Sequence, residues 1–263
     1  MSNEFKSADR VEDTTGRQYH IGLAPGELAT NILTVGDAAR AERLAKRFDE
    51  GSIRTEKRNR EYVTFTGTYQ GMEISVMATG MGADNTEIAM VELSQIVENP
   101  ILIRVGTCGG LQDYMRLEDL VISTGAVRLE NTTTYFVHEG YPAVAHFEVV
   151  AALRDAAVEL GKRHHLGITA TAPGFYGAQC RQDSGFTPRF PNLIDELAAM
   201  NVKNLEMETS ALLTMAALKD YRVGAICTVF AERPHGNFVA KDRKVPAEDA
   251  ALDTALLAFK KLQ

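Results

Sequence analysis

The 263-residue sequence predicts a single-domain α/β protein spanning residues 18–263, built as three α/β/α layers around a mixed central sheet. Three observations support this. Apolar runs of strand length alternate with amphipathic helical segments along the chain. No repeat with a period of roughly 20 to 50 residues recurs, and no Ser/Pro-rich linker divides the chain. The length is enough for one large core.

Residues 1–17, rich in Ser, Asn, Glu, Asp and Thr, read as a frayed tail with little to bury. "NILTVGD" (31–37) reads as a strand ending at glycine, and residues 38–49 set Leu44 and Phe48 four apart on a helix. Tyr62 to Tyr69 alternates as a half-buried strand, and "QG" turns it back into 73–78 as a hairpin. Asp84 is placed to cap a helix reaching Val97, with Ile88, Val91 and Leu93 on its apolar face. "ILIRVGTCGG" (101–110) follows as an apolar strand running into a glycine turn. Strands are expected at 120–127, 167–172, 203–206 and 223–230, and helices at 147–161, 191–200, 209–219 and 247–262. His164 and His165 then fall at a solvated helix end, favoured by the helix dipole, and are given no metal.

Composition narrows the function. With 28 basic and 35 acidic residues the formal charge is −7, which argues against a protein that coats nucleic acid or an anionic membrane. Cys108, Cys180 and Cys227 are widely spaced and lack any CxxC or Cys/His pattern, so neither disulfides nor zinc is expected and a reducing cytoplasm suits the chain. No apolar run is long enough to span a bilayer, and neither GxGxxG nor GxxxxGK[ST] is present.

The residues that can carry chemistry fall near strand ends, where open α/β sheets gather ligands. Arg40, Arg60 and Arg104 stand beside glycine-containing turns, and with Gly36 and Thr107 they can form an oxyanion cradle, although each arginine alone also suits a salt bridge. Arg104 is distinctive because it interrupts a strand that otherwise looks buried, where an unpaired charge costs several kcal/mol. In "NLEMETSALL" (204–213), Glu206 and Glu208 flank Met207: two carboxylates suited to a cis diol beside a soft apolar platform, or a helix start over a core methionine. In "GFYGAQCR" (174–181), Phe175 can stack on a ring, Gln179 can donate and accept side by side, and Arg181 can meet a carbonyl or developing negative charge. Glu232 and Arg233 end the last strand, and His20 lies in "YHIGL".

Together "YHIGL", "VGDAAR", "NREYVTFTG", "ATGMG", "IRVGTCGG", "EGYPAVAHFE", "GFYGAQCR" and "NLEMETSALLTM" resemble, in order, the nucleoside phosphorylase family of uridine phosphorylases and bacterial-type purine nucleoside phosphorylases. The likeness runs from Tyr19 to the C-terminus and is strongest to the uridine enzymes. It implies a homohexamer, a trimer of dimers whose paired subunits share active sites. It also implies Gly36, Arg40, Arg104 and Thr107 as phosphate ligands, with Arg60 lent by the neighbour. Met207 and Glu208 then hold the ribose and His20 reaches its 5′ end from the adjacent chain, while Phe175, Gln179, Arg181, Glu206 and Arg233 serve the base. Catalysis would rest on Arg104, Gln179, Arg181 and Glu208.

The purine enzymes' Val-Ser-Asp stretch corresponds to Val229, Phe230 and Ala231, whose lack of the aspartate favours a pyrimidine. "GDAAR" lacks the usual proline, and "GMGADN" places Asn85 where relatives with an interface potassium have serine, although Glu61 matches one ligand; no metal is assigned. The expected reaction is reversible phosphorolysis of uridine to uracil and ribose 1-phosphate, with inorganic phosphate as co-substrate and no cofactor. A purine nucleoside phosphorylase, a nucleosidase and a non-catalytic nucleoside-binding protein are the alternatives.

Overall fold

The computed structural model describes residues 5–263, which divide into two compact units, one of residues up to 81 with 85–102 and one of 82–84 with 103–263. Residues 1–4 of the expected tail lie outside the described residues.

In the first unit, β1 (Asn31–Val35) is buried throughout and pairs in parallel with β4 (Met72–Ala78), Ile32 facing Ser75 and Val35 facing Ala78. β3 (Tyr62–Tyr69) runs antiparallel to β4, and β2 (Thr55–Asn59) is antiparallel to β3, giving the order β1-β4-β3-β2. The alternation of charge in "TEKRN" marks β2 as an exposed edge, a strand that the apolar pattern alone does not find. Helix α1 (Ala38–Ala45) starts where the Asp37 carboxylate accepts from the Ala39 N–H at 3.0 Å. It ends before Phe48, which with Leu44 is buried in the core.

Residues 5–11 are exposed, and the segment that follows is organised by one buried carboxylate. Glu12 is buried, bridges to Gln18, accepts from Lys6 and from the Gln18 amide at 3.1 Å, and pairs with the Arg10 guanidinium 3.0 Å away. Arg17 grips Glu27 through two nitrogens at 2.7 and 2.8 Å. The charges that suggested solvation are partners for one another.

Helix α2 (Ala83–Leu93) begins before Asp84, which sits in its first turn and accepts from the Thr132 hydroxyl. The expected apolar face is rotated: Ala83, Thr86, Ala89, Met90 and Leu93 are buried, while Ile88 and Val91 are half-buried.

In the second unit, β6 (Leu120–Arg128) pairs in parallel with β8 (His164–Thr171), which pairs in parallel with the short β9 (Asn204–Glu206). β10 (Arg222–Glu232) is antiparallel to β6, and the short β7 (Ala143–Val144) and β11 (Asn237–Phe238) add to β6 and β10. β5 (Ile101–Gly110) runs antiparallel to β9, with Gly109 opposite Leu205. The glycines therefore belong to the strand and form no turn after it.

His164 and His165 lie in β8, not on a helix end. Helix α3 (Phe147–Glu159) stops just before Gly161, whose φ of +61° turns the chain into the strand. His165 Nε2 meets the buried Asp119 carboxylate at 2.8 Å. Helix α4 (Leu193–Ala199) and the apolar α5 (Thr209–Ala217) follow, and α6 (Lys244–Lys261) closes the chain. α6 starts three residues earlier than its apolar pattern indicates, because Pro246 fits a first turn whose N–H groups have no helical partner. Leu252, Leu256 and Phe259 are buried as expected.

Candidate active site

The second unit is organised around a buried guanidinium. Arg104 leaves β5 with its side chain only 5% exposed and meets Glu206 through Nε at 3.2 Å and Glu208 through Nη2. One cation thus serves two anions, so its burial is compensated within the chain. Burial pulls the Arg104 pKa down, but the charges of Glu208 and Glu206 outweigh it and the group ends above its ordinary value. Glu208 sits above the ordinary carboxylate range, since burial and the like charge of Glu206 exceed the help from Arg104. The asymmetry follows from the stoichiometry of two carboxylates and one guanidinium.

Local backbone design makes room for this cluster. A Cβ on Gly106 would come within 2.9 Å of Arg104 Nη2 and 3.0 Å of Cys227 Sγ, so only glycine lets the guanidinium lie there. A Cβ on Gly109 or Gly110 would sit tightly, 3.1 Å from the stem of Arg233 and 3.2 Å from Val229 respectively. They are gaps for neighbouring side chains, which is why the run stays in a strand.

Glu206 and Glu208 divide their work. The Glu206 carboxylate accepts from Thr171 Oγ1 at 2.6 Å and from the N–H groups of Glu208 and Thr209 at 2.9 Å, capping the start of α5. The expectation that Glu206 meets a base therefore finds its oxygens already engaged by the protein. Glu208 makes no side-chain cap; one oxygen accepts from the Gly82 N–H at 2.6 Å and the other from Arg104. Gly82 and Thr171 escaped the sequence reading, because a backbone donor and a strand threonine carry no motif. Met207 is half-buried between the two glutamates, and Thr107 is half-buried on β5.

The loop after β8 is compact. Arg181 N–H donates to the Tyr176 carbonyl at 3.0 Å and Cys180 adopts φ of +50°, while its thiol donates to the Phe190 carbonyl. The Arg181 guanidinium stacks 3.9 Å from the centre of the Phe175 ring and donates through Nε to the Phe175 carbonyl at 3.1 Å. Arg233, its stem over Gly109 of β5, donates to the Gln179 carbonyl at 2.8 Å, and its buried Nη1 finds no hydrogen-bond partner among the described residues. Burial, and then the charge of Arg233, lower the Arg181 pKa; burial lowers that of Arg233. Phe175 and Arg181 thus form a cationic, aromatic face, and Arg233 is fixed beside it through the backbone carbonyl of the buried Gln179. Glu232 turns away to accept from the Leu117 N–H and the Asn237 amide.

In the first unit, Gly36 follows β1 and Arg40 is buried in the first turn of α1. Arg60 sits in the β2–β3 turn with φ of +52° and donates to the Tyr19 hydroxyl at 2.7 Å. His20 is half-buried, its Nδ1 2.7 Å from the buried Glu92, a residue the sequence reading missed. Asn85, at the position compared with a potassium site, donates its amide to the Met81 carbonyl at 3.2 Å.

A buried arginine on β5 held between two carboxylates, with Arg233 linking the end of the same strand to a cationic aromatic loop, is suited to an anion, a hydroxyl-rich ligand and a heterocycle. The chain belongs to the phosphorylase superfamily, whose family model matches residues 30–258. It is 41% identical to a uridine phosphorylase of Thermococcus kodakarensis over 98% of this chain and 93% of that protein. It is 34% identical to the uridine phosphorylase of Haemophilus influenzae, covering 93% of this chain and 98% of the other. A crystal structure of a Trypanosoma brucei nucleoside phosphorylase, described as showing uridine phosphorylase activity, superposes with a TM-score of 0.87 at 26% identity, covering 94% and 98% of the two chains.

Proposed function

We propose that this chain is a pentosyltransferase that catalyses the reversible phosphorolysis of uridine to uracil and ribose 1-phosphate. The observation that carries the reading is the pairing of Arg181, on the loop after β8, with Arg233, just past the end of β10. Arg181 is stacked on Phe175 and Arg233 is anchored to the Gln179 carbonyl, and two neighbouring cations suit the negative charge that develops on a departing uracil. They meet the uracil anion better than neutral uridine, and that difference lowers the barrier. Ala231, buried at the end of β10, offers none of the acid that a purine ring nitrogen would need.

The sugar and phosphate roles follow from the guanidinium cluster. A guanidinium has five N–H donors, and Arg104 gives one through Nε and one through Nη2 to the glutamates, leaving others for a phosphate oxygen. Glu208, which accepts a single hydrogen bond on each oxygen and keeps a lone pair free on both, is the ribose ligand, and the net negative charge of the cluster suits the positive charge that develops at C1′. Glu206 acts from behind, locking Arg104 and the start of α5. Thr107 is a phosphate ligand and Met207 lies against the sugar. Gly36, Arg40 and Arg60 keep the phosphate roles that the resemblance implies, and His20 its role at the ribose 5′ end. Phosphate is the nucleophile, so no protein nucleophile is required.

In the same reading the protein works in the cytoplasm as a homohexamer, His20 and Arg60 completing the paired subunit's site. Among the described residues no helix is long and apolar enough to cross a membrane. Exposed Tyr135, Phe136, Val144 and Phe147 give the second unit apolar surface for a neighbouring subunit to cover. Phosphorus NMR of a reaction of uridine with phosphate tests the chemistry: growth of a ribose 1-phosphate signal is expected, and free ribose with phosphate unchanged overturns it.

A further inference from the structure

We infer that Glu92 is a positioning residue that sets the tautomer of His20, holding the ring proton on Nδ1 and presenting Nε2 as the acceptor for the ribose 5′-hydroxyl. The inference rests on the sugar role given to His20 above and adds a residue that no sequence motif marks. Glu92 lies on α2, 72 residues from His20 in sequence, and is 7% exposed. Its carboxylate accepts from the His20 N–H at 3.0 Å and the Ile21 N–H at 2.7 Å, and His20 Nδ1 lies 2.7 Å from Oε1.

A carboxylate offers only acceptors, so the ring nitrogen facing it is the one that carries hydrogen. In the neutral ring Nε2 is then the acceptor. Among the described residues Glu92 is the ring's hydrogen-bond partner, which leaves Nε2 for a ligand.

The turn around His20 is held as firmly as the ring. The Asn59 amide donates to the carbonyls of both Tyr19 and His20 at 2.8 Å. The Tyr19 ring stands edge-on to the imidazole at 4.8 Å and carries the Arg60 guanidinium 5.0 Å from its centre. Gly22, with φ of +68°, is required, because a Cβ there would come within 2.9 Å of Asn59 Cβ. Backbone and side chain of His20 are therefore both fixed before substrate arrives, and the buried carboxylate contributes to each.

Glu92→Gln inverts the ring without removing the side chain. The amide oxygen can still accept from the backbone N–H groups, but its NH₂ then faces Nδ1 as a donor and drives the ring proton to Nε2. The test compares kcat/KM for uridine and 5′-deoxyuridine, with phosphate, in the wild type, Glu92→Gln and His20→Ala.

The wild type is expected to favour uridine by about tenfold, the worth of one good hydrogen bond. Glu92→Gln should reduce that preference to the level of His20→Ala. A preference retained in Glu92→Gln, with both substrates slowed equally, would show a purely structural role and overturn the inference. So would a wild type indifferent to the 5′-hydroxyl.

Nitrogen NMR of histidine-labelled wild-type protein, with His20 assigned by its loss in His20→Ala, decides the tautomer even if Glu92→Gln fails to fold. A protonated Nδ1 beside an unprotonated Nε2 supports the inference, and the reverse refutes it. A wild type with no phosphate-dependent turnover of uridine would be a failure of the proposed function, and the tautomer result would still stand or fall by itself.

Discussion

Replacing Arg104 with methionine keeps an unbranched stem on β5 and removes the positive charge that Glu206 and Glu208 share. In the wild type the three side chains are each at most 5% exposed. The substitution leaves two carboxylates facing each other in that space, and removing one partner of a buried ion pair costs about 3–5 kcal/mol. In a chain of this size each kcal/mol corresponds to about 2–4 °C, so Tm near neutral pH should fall by about 6–20 °C. Glu208 already sits above the ordinary carboxylate range in the folded protein, and loss of Arg104 raises it further. A carboxyl whose folded pKa exceeds its unfolded value takes up its proton first in the folded state. The deficit is therefore larger at neutral than at mildly acidic pH, shrinking as the pH falls through the raised folded pKa. Calorimetry of wild type and Arg104→Met at both ends of that range reads the effect directly. A loss below about 1 kcal/mol, or one equal at both pH values, would refute the charge argument.

Other substitutions probe separate links. Gly106→Ala places a methyl 2.9 Å from Arg104 Nη2, and should cost about 1–3 kcal/mol and raise KM for phosphate; a wild-type KM would contradict the spacing argument. Arg181→Ala should lower kcat/KM for uridine more than for any residual purine nucleoside cleavage, whereas equal losses would detach Arg181 from the base. Glu12→Ala removes the partner shared by Lys6, Arg10 and Gln18, and limited trypsin digestion should then cut residues 5–17 faster; an unchanged rate would mean that the segment is held by other contacts.

The sequence was most informative where side-chain period and burial coincide. β1, the β3–β4 hairpin, α5 and the apolar face of α6 follow from apolar runs and turn residues, although β3 is buried on both faces over its first six residues, where its alternation predicts a half-buried strand. It misled where a residue's partner lies far along the chain. Gly106, Gly109 and Gly110 looked like a turn because the side chains of Arg104, Arg233 and Val229 that fill their space are not visible as neighbours in sequence. His165 looked solvated because Asp119, 46 residues away, supplies its partner. The same limit applied to the site. Arg104 could be read as buried and needing an anion, but not that Glu206 and Glu208 already supply two. Glu92 was invisible, since one glutamate on a helix has no pattern until the fold brings His20 to it.

The measurement that tests the central claim most directly is release of uracil from uridine with and without inorganic phosphate, beside a parallel reaction with inosine. Uracil released only when phosphate is present, with inosine left intact, is the predicted result. Uracil released equally without phosphate, or phosphate-dependent cleavage of inosine in preference to uridine, would contradict it.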